Sequence, residues 1–541
     1  MESKTTTMLE TAEASAVIDP GSSDPLNSGF PAPERVSTTG DAPDALGSSA
    51  LILVASVFGC GLNYLFGIYL ARVLGPTDFG LYALGLSLFN ILILFAPLSL
   101  DTSVMKFVSQ SLDRDKTGRI GPYITAASGM ALLFGSALGV CLALLAHPLS
   151  EKVFGKPDLA TVLTVLAVGI PGAAVSAVLL SSLRALHDVR RFVSIKYVVE
   201  PGGKFALAGL ALWMGWGLAG VLGAVLAVLT LTAGLAIACL LRMTDVRSRH
   251  DGSGWRRTAP ALLAFSFPLV ISNLFGVFAP RSDMLFVGAW FPSRDVGVYS
   301  AASQTAAILG LIMTAFHSAV IPMVGTLFAR KDRVRLKSLY GFTSRWTLAL
   351  SILIFIYFVL FGREILHLFG EDFTKGVPWL IILAAGYLVS SASGPATATI
   401  IMAGYPGTIM MNSIVMGLLL IGANMVLIPR YGPLGAAWAV SLNVIAGSIL
   451  CVAEARRLCG VIPFSRGMVK SILAGALTLA VGMFLRSEHV LSSAAAAGFA
   501  ATAIFGAALL VMKVEAEDRE ALRGLARKVP PLARWFPSAS P

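Results

Sequence analysis

Long apolar segments follow one another along almost the whole chain, and they leave few alternatives for its fold. A helix that crosses the hydrocarbon core of a bilayer needs about 20 mostly apolar residues, and fourteen segments meet this requirement. We therefore predict an all-α polytopic membrane protein with about fourteen transmembrane helices. The predicted spans are 49–72, 79–104, 120–147, 159–183, 197–214, 217–241, 261–290, 296–328, 341–361, 377–403, 409–428, 433–453, 470–486 and 490–512.

The composition agrees with a membrane-embedded chain. Only 13% of the 541 residues are charged and 56% are hydrophobic, whereas a soluble domain carries about 25% charged residues. The net charge of +11 fits the lysine and arginine bias of cytoplasmic loops, so we expect no nucleic-acid partner. Residues 1–47 are rich in polar residues, proline and glycine, and this composition predicts a disordered tail.

Two turns recur along the chain at nearly the same offset. The turn at 78–83 (DFGLYA) returns at 295–300 (DVGVYS), and the turn at 216–220 (WGLAG) returns at 431–435 (YGPLG). The shared offset predicts a six-span unit used twice, and an even number of spans makes the two copies parallel repeats. We expect the aspartates that open the first pair of turns to cap the helices that follow.

The repeat and the composition together give the predicted organisation. It comprises a disordered cytoplasmic tail 1–47, a first lobe 48–258, a second lobe 259–455, two further spans within 456–512, and a basic tail 513–541.

Lysine and arginine concentrate in alternate loops, which predicts cytoplasmic N and C termini. In the C-terminal tail the apolar residues have helical spacing, which fits either a helix along the anionic inner leaflet or a solvated tail.

The motifs of soluble enzymes are missing from the sequence. It contains no GxxxxGK[ST], HExxH or GxSxG, and its inter-helix loops are too short for a catalytic domain. A GxGxxG match at 215–220 falls between two spans rather than in a βαβ unit, so a nucleotide site is not expected. The five cysteines form no CxxC pair, which supports neither a disulfide framework nor a zinc site. We expect no enzymatic activity and no cofactor.

Charged residues inside the spans are the most informative candidates for a site, because a charge at bilayer depth needs a partner or a water-filled cavity. Span seven carries Arg281 and Asp283, which lie about 200° apart around a regular helix and cannot pair well with each other. Span five carries Glu200 and Lys204 at a spacing that favours an ion pair, either within a substrate cavity or merely within the helix near the interface.

These residues predict an anion site inside the membrane. The guanidinium of Arg281 suits a phosphate or diphosphate through paired hydrogen bonds, and Lys204 would add a point charge. Asn63, Asn273 and Gln304 lie inside other spans and would contact sugar hydroxyls, although polar residues in spans more commonly join helices.

Several of these segments resemble a known family. They are 69–83 (YLARVLGPTDFGLYA), 283–288 (DMLFVG), 295–302 (DVGVYSAA) and 432–437 (GPLGAA). They resemble the first hairpin, the start of the second lobe and the late hairpin of bacterial polysaccharide and O-antigen flippases. These belong to the multidrug/oligosaccharidyl-lipid/polysaccharide exporter superfamily, and the resemblance covers about residues 48–512.

The resemblance implies a V-shaped fold of two six-helix lobes with two further helices. It implies a bacterial inner-membrane protein that flips an undecaprenyl-diphosphate-linked oligosaccharide by alternating access through a cationic central cavity. Arg281 is the residue that we match to that cavity. The driving force stays open between a coupling ion, H⁺ or Na⁺, and consumption of the product by a polysaccharide polymerase working with chain-length proteins.

A drug or small-cation antiporter of the same superfamily is the alternative. Such an antiporter should hold an unpaired carboxylate deep in a lobe, and the first lobe has none near the middle of the membrane. This difference favours the flippase.

Overall fold

The computed structural model describes residues 42–113, 120–243, 254–273, 279–330, 332–462, 466–487 and 494–511. Within these ranges the chain is helical almost throughout and forms no β-strand, which confirms the all-α class. Most of the predicted N-terminal tail and all of the C-terminal tail lie outside the described residues.

The helices are numbered in chain order. They are α1 Ala42–Phe95, α2 Leu100–Asp113, α3 Ile120–Pro148, α4 Leu159–Ala185, α5 Val189–Val193, α6 Glu200–Trp213, α7 Gly217–Met243, α8 Gly254–Asn273, α9 Ala279–Trp290, α10 Ser293–Ala329, α11 Arg333–His367, α12 Val377–Ser391, α13 Ala396–Met402, α14 Pro406–Tyr431, α15 Pro433–Cys459, α16 Arg466–Ser487 and α17 Ala494–Val511. Two π-helical turns, Leu149–Val153 and Ser194–Val199, and one 3₁₀ turn, Glu371–Gly376, extend or join them.

Ten segments of the described chain are long and apolar enough to cross a membrane. The predicted number of fourteen is not confirmed, and the difference arises at identifiable places. The first two predicted spans form one continuous apolar segment, Val54–Leu112. The fifth is divided between a π turn and the 14-residue α6, and the seventh corresponds to the shorter α8 and α9. The fourteenth corresponds to the 18-residue α17, which is not among the ten.

The first recurring turn, 78–83, directly follows a sharp bend inside α1. Gly75 adopts φ 75° and ψ 174°, a conformation open essentially to glycine alone, and Pro76 starts the second arm of the helix. Asp78 is the third residue of that arm, and Asp295 is the third residue of α10. The expected cap is wrong for Asp295, because Pro292 occupies the cap position of α10 without a side-chain hydrogen bond. An acidic residue in the first turn still interacts favourably with the helix dipole.

Most helices pack against helices of the same half of the chain, with one exception. In the first half α4 packs against α3 and α7, and in the second half α12 packs against α10, α11 and α15. The predicted seventh span contacts both halves, since α8 packs against α2 and α3 whereas α9 packs against α10 and α14. At the C-terminal end α16 packs against α11 and against α17.

Candidate functional site

A cavity of about 490 Å³ lies among the helices of the first half and α10. Its size falls within the range of about 300–1,000 Å³ that is typical of ligand sites. Most of its lining is apolar, with polar groups contributed by α1, α4, α6, α10 and the π turn before α6. The polar lining residues are Asn63, Tyr64, Tyr82, Asn90, Ser176, Lys196, Glu200, Lys204 and Gln304.

Two lysines and one glutamate form the charged part of this cavity. Lys196 Nζ lies 2.9 Å from Glu200 Oε2, and Lys204 Nζ lies 2.8 Å from Glu200 Oε1. The three side chains meet because they follow one another at four-residue intervals, which places them on one side of a helix. With both ammonium groups charged, this Lys196–Glu200–Lys204 triad carries a net charge of +1 beside apolar walls. The predicted ion pair of Glu200 and Lys204 is therefore present, and it includes a second lysine.

The two lysines differ in how well they are enclosed. The side chain of Lys196 is 45% exposed, whereas those of Lys204 and Glu200 are 19% and 15% exposed. Lys196 therefore lies at a wetter end of the triad, and the pair of Lys204 with Glu200 lies deeper.

Polar side chains of α1 and α10 complete the cavity. Asn63 donates to the carbonyl oxygen of Gly59 in its own helix, at 2.9 Å. Gln304 donates from Nε2 to Ser300 Oγ at 3.0 Å. Its Oε1 lies directly over Gly67, where a Cβ would come within 2.7 Å. Glycine at position 67 thus makes room for the Gln304 side chain, and α10 forms one wall of the cavity.

Arg281 and Asp283 lie elsewhere. Neither is among the described residues that line this cavity. Asp283 is buried on α9 and accepts a hydrogen bond from the Tyr299 hydroxyl at 2.7 Å. The neighbouring Ser282 accepts from Asn424 Nδ2 at 3.1 Å, which connects α9 with α14. As predicted from their angular separation, Asp283 reaches another helix, α10, through its tyrosine partner.

The predicted site residues therefore divide into two groups. Asn63, Glu200, Lys204 and Gln304 share one cavity, whereas Arg281 and Asp283 belong to α9. Asn273 is the last residue of α8, and its side chain lies outside the part of the structure that is described.

Lys196 is the main residue that sequence reasoning missed. The predicted fifth span begins at 197, which leaves Lys196 in the preceding cytoplasmic loop. The helical segment in fact begins at Val189 and runs through the π turn into α6. The four-residue spacing of Lys196, Glu200 and Lys204 was the signal that could have revealed the triad.

Comparison with known families identifies the chain. The profile of the polysaccharide biosynthesis protein family matches residues 46–328, and the MatE profile matches residues 268–426. The probable low-salt glycan biosynthesis flippase Agl15 of Haloferax volcanii is 24% identical over 411 residues, which cover 75% of this chain and 82% of that protein. The succinoglycan biosynthesis transport protein ExoT of Rhizobium meliloti is 26% identical over 325 residues, covering 60% of this chain and 62% of that protein.

Solved structures show the same fold. The lipid II flippase MurJ in an inward closed conformation superposes with a TM-score of 0.68 at 15% identity, covering 88% of this chain and 99% of that one. An inward-facing MATE family multidrug resistance transporter gives a TM-score of 0.61 at 16% identity, covering 76% and 98%. These likenesses confirm the predicted all-α polytopic membrane fold. The chain belongs to the polysaccharide biosynthesis protein family, the polysaccharide flippases of the multidrug/oligosaccharidyl-lipid/polysaccharide exporter superfamily, whose members are transmembrane transporters rather than enzymes.

Proposed function

We propose that this protein flips an undecaprenyl-diphosphate-linked oligosaccharide from the inner to the outer leaflet of a bacterial cell membrane, for the synthesis of a surface or secreted polysaccharide. The names of the two relatives, a glycan biosynthesis flippase and a succinoglycan transport protein, support a lipid-linked oligosaccharide as the substrate. The observation on which the finer proposal rests is the Lys196–Glu200–Lys204 triad in the cavity.

The triad has the chemistry of a diphosphate site whose positive charge is partly compensated when it is empty. Lysine ammonium groups bind phosphate oxygens as point charges, and their attraction is strong where apolar walls exclude water. When no substrate is present, Glu200 bonds to both lysines and supplies an anionic partner to the enclosed Lys204 and to the more exposed Lys196. An arriving diphosphate would take the place of the carboxylate, and Glu200 would take the lysines back on release.

The rest of the cavity suits the sugar part of such a substrate. Asn63, Asn90, Ser176 and Gln304 offer amide and hydroxyl groups to sugar hydroxyls, and aromatic side chains such as Phe89 offer flat apolar faces. The polyprenyl chain would stay in the surrounding lipid, since burying it with the head group would require far more volume than this cavity has.

Arg281 has a different role from the one expected from the sequence. We expected this residue to be the main anion ligand, but it is not among the described lining residues of the cavity. Lys196 and Lys204 therefore supply the positive charge of the cavity. Arg281 stays a candidate for contact with the substrate head group at a later stage of transport. Its location on α9 is suitable, because this helix packs against α10 and α14 and also contacts the first half of the chain through Gly288, over which Leu84 lies.

The driving force is either a coupling ion, H⁺ or Na⁺, or removal of the product by a polysaccharide polymerase acting with chain-length proteins. Asp283 is a carboxylate in the second half that suits a cation, because it is buried and has hydroxyl groups beside it. Asp283→Asn should abolish any dependence of transport on a Na⁺ or proton gradient. A gradient dependence that survives this substitution would remove Asp283 from the proposal.

An antiporter for drugs or small cations remains the alternative, and buried Asp283 is the observation in its favour. The cavity itself argues against it, because its carboxylate is already bonded to two lysines and the net positive charge repels cations. Deletion of the gene decides between them. The flippase proposal predicts loss of surface glycan, and the antiporter predicts loss of cationic dye export with glycan unchanged.

Charge-removing substitutions in the triad test the proposed site. In cells lacking the chromosomal copy, Lys196→Gln combined with Lys204→Gln should fail to restore the glycan although the protein is inserted at normal levels. Lys337→Gln removes a lysine that is exposed near the start of α11 and should restore it fully. Normal glycan with the double variant would refute the triad as the diphosphate site.

A further inference from the structure

The two copies of the recurring turn touch each other through a pair of glycines. Gly80 and Gly297 occupy the same position, the third, in the two copies of the motif. A Cβ on Gly80 would lie 1.8 Å from the carbonyl oxygen of Ser293, and a Cβ on Gly297 would lie 2.1 Å from that of Pro76. Only glycine permits this approach, since real Cβ atoms do not come within 3.0 Å of other atoms.

Apolar contacts surround the glycine pair. The rings of Phe79 and Phe373 meet edge to face with their centroids 5.9 Å apart, and both residues are almost completely buried. On the other side Leu84 covers Gly288, where a Cβ would lie 2.4 Å from the nearest methyl carbon of Leu84. These contacts join the second arm of α1 to residues of α9 and of the turn before α12.

A buried lysine adds a polar contact to the same region. Lys156 lies in the turn before α4, is only 9% exposed, and donates hydrogen bonds to the carbonyl oxygens of Gly288 and Phe154. The offset from Lys156 to Phe373 equals that from Gly80 to Gly297, so the repeat places the lysine and the phenylalanine at corresponding positions. Lys156 of the first half therefore contacts α9, which ends just before the second recurring turn. Phe373 of the second half contacts Phe79, which lies in the first recurring turn.

The contacts lie at one end of the cavity. Phe79 is part of both the cavity wall and these contacts, because it lines the cavity and its ring packs against Phe373. The triad residue Lys196 comes from the cytoplasmic side in the proposed orientation, and the recurring turns lie on the opposite side. Passage from the cavity to the outer side would therefore require these contacts to separate.

We propose that these residues form the outer seal of the transporter. In this seal the repeat-related glycines bring two backbone segments into direct contact, and Lys156 holds the closed form through its hydrogen bonds. The outer seal comprises Phe79, Gly80, Leu84, Lys156, Gly288, Gly297 and Phe373. This inference rests on the proposed function in one respect, namely that the molecule works by alternating access.

The chemistry of the seal suits repeated opening. The contact of Gly80 with Gly297 involves no side chain that must be reordered when the two surfaces meet again. The hydrogen bond of Lys156 stabilises the closed form, but burial of an ammonium group has a desolvation cost, which is recovered when water enters. The hydrogen bonds of Lys156 to two carbonyl oxygens therefore favour the closed form, and the desolvation cost keeps this preference small enough to be reversed.

A reversible crosslink tests the seal directly. In full-length protein whose five native cysteines have been replaced by serine, Leu84→Cys and Gly288→Cys would bring two thiols together, because a Cβ at Gly288 lies 3.2 Å from Leu84 Cγ, the position that the sulfur of a cysteine at 84 would occupy. Oxidation should form the disulfide, stop glycan export, and be reversed by reductant. The matched control is Gly135→Cys with Ala174→Cys, a contact between α3 and α4, where crosslinking should leave export intact.

A second measurement does not depend on the substrate. Leu86 lines the cavity next to the seal, and Leu86→Cys in the cysteine-free protein reports access of a membrane-impermeant thiol reagent from the outer side. Gly297→Ala, and separately Lys156→Met, should speed this labelling by at least about tenfold, since each removes a contact of the closed form. Gly129→Ala, at a helical glycine with open space around it, should leave the rate unchanged.

The outcomes separate this proposal from the proposed function. Unchanged outer labelling in both Gly297→Ala and Lys156→Met, or full export by completely crosslinked Leu84→Cys/Gly288→Cys protein, would overturn the outer seal. If labelling changes as expected while the parent protein exports no glycan, the seal stands and the assigned substrate is wrong.

Discussion

Replacement of Glu200 by glutamine should separate binding from turnover. The variant keeps the shape of the side chain and removes its charge, so Lys196 and Lys204 lose their anionic partner. A charge-assisted hydrogen bond at the enclosed Lys204 contributes about 1.5–3 kcal/mol, whereas the more exposed pair with Lys196 contributes about 0–1 kcal/mol. The amide of glutamine can still accept a hydrogen bond and so keeps part of this stabilisation. We therefore expect Glu200→Gln to lower the free energy of unfolding by about 1–3 kcal/mol.

The same free energy opposes substrate binding in the parent protein, because the diphosphate must displace the carboxylate. Since about 1.4 kcal/mol corresponds to a factor of ten, Glu200→Gln should bind a short-chain prenyl diphosphate about five- to 150-fold more tightly. Export in cells should nevertheless fall, because release of the head group is no longer assisted by the returning carboxylate. Titration calorimetry on the full-length protein in detergent provides the affinity. Weaker or unchanged binding would refute the role of Glu200 as a competing anion.

Two further predictions concern the helices that position these sites. Gly75→Ala should lower the free energy of unfolding by about 1–3 kcal/mol, because its φ of 75° and ψ of 174° exclude a side chain although the space around it is open. Gly129→Ala is the matched helical control in thermal unfolding, and equal effects of the two would contradict this reading of the bend. Tyr299→Phe should destabilise the protein by about 1.5–3 kcal/mol by removing the hydroxyl bonded to buried Asp283. The loss should shrink in an Asp283→Asn background, and additive effects in that double-mutant cycle would show that the two side chains are not coupled.

The helical class, the family resemblance and the recurring turns could all be predicted from the sequence, because each depends on local pattern. The polar turn that contains Asp78 recurs at Asp295, and long apolar segments mark most spans. The count of spans failed where the pattern is interrupted. In α1 a bend at Gly75 separates two arms without ending the helix, and before α6 a π turn carries Lys196 into what had been assigned to a loop.

Contacts between distant segments were much harder to predict. The pairing of Glu200 with Lys204 follows from the four-residue spacing alone, so it was found. The position of Arg281 relative to the cavity depends on how α9 packs against α10 and α14, which no local pattern encodes. The repeat likewise gave the register of Gly80 and Gly297 but not the fact that they touch, because internal similarity says which positions correspond and not which surfaces meet.

In the proposed function, the Lys196–Glu200–Lys204 triad binds the diphosphate of the lipid-linked substrate during its passage across the membrane. The most direct measurement is the transfer of an undecaprenyl-diphosphate oligosaccharide between leaflets of proteoliposomes that contain the purified full-length protein. We predict rapid transfer by the parent protein and by Lys337→Gln, little transfer by the Lys196→Gln/Lys204→Gln double variant, and slower transfer of the corresponding monophosphate lipid. Equal transfer by the double variant and the parent, or no transfer by the parent protein, would contradict the account.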